Sequence, residues 1–343
     1  MGRIVIQERN IIMTILSTPL KINKLTLKNR LVMPPMALAN LSDGYVNEKL
    51  LEYYDEKSKD SAFGLVIIEH SYISREGRAK PTQLSVAADD TVEGLQKLAE
   101  TIHRNGSMTF MQINHSGSFI RGEGKNPPCV APSAVPHPIG GSMPRALTIE
   151  EIKKLPGLFR DAARRVKAAG FDGVEIHSAH SYLLNQFYSP LTNKRTDEYG
   201  GSLENRIRLH LEVIKEVREE VGEDYPIMLR LGACDFTEGG ITVEDSVFAA
   251  KAFEAAGIDA IDVTGSMKGY TAPDGNNEEG YFYVMSRPIK EAVSIPVMLT
   301  GGIISAAGAE RMLENGNADL IGVGRMVMKD SHWAKNALDE LGR

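Results

Sequence analysis

Gly173-Val174-Glu175-Ile176-His177-Ser178-Ala179-His180-Ser181-Tyr182 runs from an apolar β-type segment into a loop carrying two imidazoles and a phenol. Catalytic groups of eight-stranded α/β barrels sit at the C-terminal ends of their strands, where His177, His180 and Tyr182 fall if residues 171–177 form such a strand. Working outward, comparable short apolar runs occupy Leu31–Met36, Gly64–Glu69, Met108–His115, Pro226–Leu231, Ala260–Thr264, Pro296–Thr300 and Leu320–Gly324. The segments between them have helical periodicity. Leu203, Ile207, Leu211, Ile214, Val217 and Val221 form one apolar stripe, and residues 47–59, 92–104, 148–169, 242–256, 283–293 and 305–314 behave similarly. Thr148 with Glu151 and Thr242 with Asp245 have the spacing of capping boxes. Eight strands alternating with helices predict an α/β fold, a single (β/α)8 TIM barrel.

The chain has 343 residues, of which 42% are apolar, enough for one barrel-sized core. A net charge of −6 with no long basic run argues against nucleic acid as a partner. No stretch reaches the roughly 18 uninterrupted apolar residues of a membrane helix. Cys129 and Cys234 are too few for a disulfide framework or a cysteine-held cluster, which fits a cytoplasmic location. Residues 1–14 read as a disordered N-terminal extension, with Met13 an alternative start, and residues 15–343 as the barrel. Residues 15–30 resemble a β-hairpin plugging the barrel floor. Residues 116–147, rich in proline and glycine, predict an ordered lid or a small extra hairpin over the mouth, and residues 178–202 form a second overhanging loop.

Chemistry concentrates at the strand ends. Thr300-Gly301-Gly302-Ile303 and Gly322-Val323-Gly324-Arg325 follow the seventh and eighth strands, where barrels bind phosphate through backbone N–H groups and Arg325 can add a forked contact. They can also be plain tight turns. Arg230 alternates with apolar neighbours and needs a partner, either an internal carboxylate such as Glu175 or Asp235 or an anionic ring. Gln112 is a strand-borne amide, able to satisfy the core or to read the edge of a heterocycle. His177 and His180 have a metal-ligand spacing, but Glu175 is the only close third ligand, so we expect no metal. The alternatives are a structural pair or two donors gripping one carbonyl or carboxylate oxygen. Tyr182 stays protonated at neutral pH by its ordinary pKa of about 10 and can donate a proton.

Taken together, these segments resemble the Old Yellow Enzyme family of flavin-dependent ene-reductases over roughly residues 15–330, including the barrel portion of 2,4-dienoyl-CoA reductases. The likeness rests on Asn29-Arg30-Leu31-Val32-Met33-Pro34-Pro35-Met36, on Gly64–Glu69, on Gln112–Gly117, on His177–Phe187 and above all on Ser189–Arg206. The resemblance implies FMN at the barrel mouth, reduced by NADH or NADPH. Pro35, Met36 and Ala37 would approach the flavin, with His70 at its edge, Gln112 on its pyrimidine side and Arg230 beside its reduced ring. Gly301, Gly302, Gly324 and Arg325 would hold the phosphate. An α,β-unsaturated carbonyl compound, such as a thioester, would be gripped by His177 and His180 and protonated by Tyr182.

This chain departs from the family pattern at three places. Ala37 stands where Thr or Cys is usual, His70 where a small residue is usual, and Ser118 where Arg is frequent. Multidomain relatives continue into a cysteine cluster absent here, so electrons are expected from a diffusible nicotinamide or a separate protein. A flavin barrel of other chemistry (demethylation, nitro reduction), an electron-carrying module and a sugar-phosphate isomerase remain as rivals. Physiological substrate and oligomeric state, including a homo-oligomer, stay open.

Overall fold

The computed structural model describes residues 14–38, 44–120, 129–136, 143–272, 275, 276 and 278–342. The chain enters through a 3-10 turn at Ile15–Ser17, then an antiparallel pair of strands, β1 (Leu20–Ile22) and β2 (Leu25–Leu27). The expected extension lies, Thr14 apart, outside the described residues. Next come β3 (Leu31–Met33), β4 (Leu65–Tyr72), β5 (Met108–Asn114), β6 (Val130–Ala131), β7 (Arg145–Ala146) and β8 (Gly173–Ser178). The last strands are β9 (Ile227–Gly232), β10 (Ala260–Thr264), β11 (Val297–Thr300) and β12 (Leu320–Gly322). The eight strands β3, β4, β5, β8, β9, β10, β11 and β12 close in that order into a parallel barrel, β12 pairing back onto β3. Each coincides with one of the eight apolar runs.

The outer ring holds α1 (Glu48–Ser58), α2 (Val92–Arg104), α3 (Ile149–Ile152), α4 (Leu155–Ala168), α5 (Leu183–Tyr188), α6 (Leu203–Val221), α7 (Val243–Ala256), α8 (Tyr283–Ala292), α9 (Ala306–Glu314), α10 (Arg325–Lys329) and α11 (Trp333–Leu341). Both capping boxes form. The single helix expected over 148–169 is divided into α3 and α4. Pro156, in the first turn of α4, lacks an N–H and cannot extend the hydrogen-bond ladder of α3, so a new helix starts there. Within the long 116–147 connection, β6 and β7 pair in parallel, so the expected hairpin is not what these residues build. Residues 121–128 and 137–142 of that connection lie outside the described residues.

Two apolar shells hold the barrel. The larger lies between strands and helices. The smaller fills the lumen, where Val32, Leu65, Ile67, Phe110, Met228, Ala260, Met298 and Leu320 meet Ile22 and Leu27 of the hairpin. These lumen residues come from the early positions of their strands, so the hairpin closes the N-terminal floor, as its sequence suggested. The side chain of Asn23 at its tip donates to the Glu223 carbonyl at 2.7 Å and to Asp259 at 3.0 Å, tying the plug to the loops below β9 and β10. With the floor sealed, polar groups higher in the lumen can open only toward the C-terminal mouth.

Candidate active site at the barrel mouth

Side chains alternate across a strand, so the residues two positions beyond the lumen core also face inward. That rule places Gln112 after Phe110, Arg230 after Met228, Asp262 after Ala260 and Thr300 after Met298, while Glu175 sits opposite Gln112 in the β5–β8 register. They form one buried polar layer. Gln112 Nε2 donates to Glu175 at 2.5 Å, and the Thr300 hydroxyl donates to Asp262 at 2.7 Å. Arg230 Nε lies 3.1 Å from Asp262 Oδ2 but without the alignment of a hydrogen bond, and among the described residues neither atom has another partner. Of the carboxylates expected for Arg230, Asp235 is not its neighbour. Asp235 accepts from the Ser189 hydroxyl and the Ile241 N–H instead, and Asp262 takes its place. Burial, with the Asp262 charge nearby, pushes the Glu175 carboxyl up against the opposing pull of Arg230 and Gln112.

Above this layer stand the histidines and the tyrosine. His177 and His180 meet edge to face with ring centroids 5.3 Å apart, and Tyr182 lies 4.9 Å from His177. Burial, then the neighbouring His180, Arg230 and His70, holds the His177 imidazole well below its ordinary pKa; His180 is lowered by burial, Arg230 and His70. Both rings are therefore neutral, each with one N–H to give. His180 Nε2 is 3.2 Å from the Thr264 hydroxyl, and His177 Nδ1 is buried without a hydrogen-bond partner among the described residues. His180 and Ser181 adopt left-handed backbone, with φ of 55° and 65°. This conformation is unfavourable for residues with a Cβ. Asn185 Oδ1 accepts the Ser181 N–H and Gln186 Nε2 donates to the Ser181 carbonyl, so the first helix after the bend pins it.

His70 joins the same cluster by an irregularity. Between Ile68 and Ser71, β4 advances three residues while β5 advances two, from Met111 to Ile113, which is a bulge. Glu69 consequently accepts the Leu38 N–H at 2.8 Å, away from the lumen, while His70 meets Asn114 and, at 5.0 Å between centroids, Tyr182. Phe119 and Tyr270 add rings 5.6 Å from Tyr182 and 6.0 Å from His180, respectively.

The glycine turns lie on the other side of the mouth. Gly302 has φ of 75°, and a Cβ there would meet the Tyr281 ring at 2.4 Å. Arg325 donates to the Tyr281 hydroxyl at 3.0 Å, so Tyr281 joins the two turns. The Met36 sulfur would lie 3.2 Å from a Cβ on Gly324, which brings the loop after β3, with Pro35 and the exposed Ala37, to the same side. Gly324 caps α10 and makes no side-chain hydrogen bond to the amides of its first turn.

The sequence reading missed Asp262, Thr264, Asn114, Tyr270, Tyr281 and Gln83. Strict alternation in Ala260-Ile261-Asp262-Val263-Thr264 and in Gln112-Ile113-Asn114 was a sufficient signal for three of them. Among the described residues, no group of three His, Cys, Asp or Glu side chains is placed to hold a metal, and no helix is long and apolar enough to cross a membrane.

A closed barrel whose mouth sets a guanidinium and an amide beneath neutral hydrogen-bond donors, with two glycine turns at one side, has the layout to hold a planar polar ligand. The chain belongs to the NADH:flavin oxidoreductase / NADH oxidase family, whose model matches residues 16–342 and whose cofactor is FMN. It is 42% identical over 327 residues to an NADH oxidase of Thermoanaerobacter brockii, a match covering 92% of this chain and 50% of that protein. The chain thus spans about half the length of that relative. An NADPH dehydrogenase of Halalkalibacterium halodurans is 38% identical over 320 residues, 92% of either chain. Among solved structures, a 2-naphthoyl-CoA reductase complexed with 2-naphthoyl-CoA superposes with a TM-score of 0.89 at 31% identity, covering 95% of this chain and 52% of that one. An old yellow enzyme homologue from Zymomonas mobilis gives 0.83 at 28% identity, covering 95% and 92%. The Old Yellow Enzyme likeness read from the sequence is thereby borne out.

Proposed function

We propose that this barrel reduces the C=C bond of α,β-unsaturated carbonyl compounds, using FMN and NADH or NADPH. The observation that carries the reading is the His177–His180–Tyr182 group, two neutral imidazoles and a phenol over one point of the mouth. The residues present suit FMN. Among the described residues, Arg230 Nε, which faces Asp262, and Asn114 Oδ1 are buried atoms without a hydrogen bond, a donor and an acceptor suited to a polar ring edge. Gln112 would read the pyrimidine side, Pro35, Met36, Ala37 and His70 would border the ring, and Gly301, Gly302, Gly324 and Arg325 would take the phosphate.

When bound, FMN supplies the hydride that the nicotinamide has delivered to it. The imidazoles hold the substrate oxygen with two N–H donors, whose hydrogen bonds strengthen as enolate charge builds there. Because both rings are neutral, the clamp stabilises charge without protonating the oxygen. Tyr182 supplies the proton for the α-carbon. Phe119 and Tyr270 narrow the space beside these groups and help exclude water.

Anaerobic incubation of the flavin-loaded protein with NADH or NADPH and a panel of enones, enoyl thioesters, nitro compounds and methylamines tests the assignment. Saturated carbonyl products formed one for one with oxidised nicotinamide are expected. Nicotinamide oxidation that leaves every alkene intact would overturn it.

A further inference from the structure

His70 makes contacts that fix where its proton resides. Gln83 Oε1 accepts the Ala79 N–H at 2.6 Å, so the amide nitrogen of Gln83 must face the other way. There Gln83 Nε2 donates to the His70 carbonyl at 3.1 Å and lies 2.9 Å from His70 Nδ1. A backbone donor at one end of the amide and a backbone acceptor at the other leave a single orientation, so Nδ1 receives an N–H and carries no proton of its own. Asn114 Nδ2, at 3.2 Å, approaches the same atom. In the neutral ring the proton is then on Nε2, and His70 Nε2 lies 3.5 Å from the Tyr182 oxygen.

We propose that His70 is a positioning residue that donates its Nε2–H to the Tyr182 oxygen, turning the phenol's own O–H toward the substrate and stabilising the tyrosinate left behind. The inference rests on Tyr182 acting as the acid in the reading above. In the step concerned, the Tyr182 O–H bond breaks, a C–H bond forms at the substrate α-carbon, and the electron pair stays on the phenol oxygen. His70 keeps its proton throughout, because losing it would leave an imidazolate. Solvent returns the proton to Tyr182 afterwards. The bulge in β4 is what makes this arrangement available, since a regular strand would send His70 outward. The contact is long, as catalytic hydrogen bonds often are before substrate arrives, and tightens as charge develops on the acceptor.

Nitrogen-15 histidine spectra of the holoenzyme test the tautomer directly: an unprotonated Nδ1 and a protonated Nε2 at His70 are expected, and a protonated Nδ1 overturns the proposal. In stopped flow, His70→Ala should slow alkene reduction about ten- to a hundredfold more than it slows flavin reduction, the range expected for losing a hydrogen bond to a charged group. The solvent deuterium isotope effect on the alkene step should rise at the same time. His70→Gln, which keeps an N–H at similar reach, should restore most of the rate; equal losses in the two variants, or an unchanged isotope effect, overturn the proposal. Tyr182→Phe separates the two claims. If it reduces alkenes at full speed, the acid role falls and His70's role with it, whereas a slowed Tyr182→Phe beside an unslowed His70→Ala removes His70 alone.

Discussion

In the proposed function, Tyr182, His177 and His180 divide one reaction between them in a way that single substitutions can separate. The phenol is needed only where a carbon is protonated. Tyr182→Phe should therefore slow alkene reduction by about two orders of magnitude, within the usual range for a general acid, while flavin reduction by the nicotinamide stays nearly intact. Equal loss in both half-reactions, followed by stopped flow, would remove it from that role. The imidazoles are proposed to grip an oxygen, and a phenolate ligand offers one. His177→Ala and His180→Ala should each weaken phenol binding about ten- to a hundredfold, read from the charge-transfer band with oxidised flavin, since each deletes one hydrogen bond to a charged group. Unchanged affinity in either variant would take that histidine out of the clamp.

At the level of strands and helices, the eight apolar runs were legible because each is short, bounded by turn residues and separated from the next by a helical stripe. What escaped depended on registers between distant segments. Arg230 visibly needed a carboxylate, but only the β9–β10 pairing shows that Asp262 stands beside it. His70 was expected at the flavin edge, but the extra residue in β4, at Glu69-His70-Ser71, that brings it to Tyr182 leaves no mark in composition. The short α10 and the terminal α11 lacked an apolar run long enough to stand out. The hairpin was legible as an element, and its role as floor has a measurable consequence. Leu27 is fully buried in the lumen cluster, so Leu27→Ala should cost about 2–5 kcal/mol in denaturant unfolding, the range for truncating a core leucine. The phenol-binding affinity of the folded fraction should not change, because the plug lies at the opposite end of the barrel. A loss below about 0.5 kcal/mol, the scale of a surface substitution, would mean the hairpin does not seal the core.

For the whole molecule, the buried titratable groups tie the site to stability, and the two signs compete. His177 and His180 are held well below their ordinary pKa by burial and nearby charge, and burial alone lowers His115 to about 4 and His210 to about 3. The unfolded chain binds protons at these four histidines as pH falls below about 6.5, whereas the native barrel does not, so their contribution is present above that pH and lost below it. Glu69, raised to about 7 by burial, and Glu175, also raised, act oppositely. The native state keeps their protons where the unfolded chain has released them, so this stabilisation is complete below about pH 4.5 and drains away as pH climbs through the native values. Between about pH 5 and 6 the four histidines outnumber the raised carboxyls of Glu69, Glu175 and Asp262, the last also lifted by burial, so stability rises with pH. Above about pH 6.5 the histidine effect is spent and the carboxyls govern. Guanidinium midpoints of the cofactor-free protein, measured from pH 5 to 8, should therefore climb steeply, peak between about pH 6 and 7, and decline gently. A midpoint that keeps rising to pH 8 would show that Glu69 and Glu175 are ionised in the native barrel, and one that is flat from pH 5 to 6.5 would show that the buried histidines protonate without opening it.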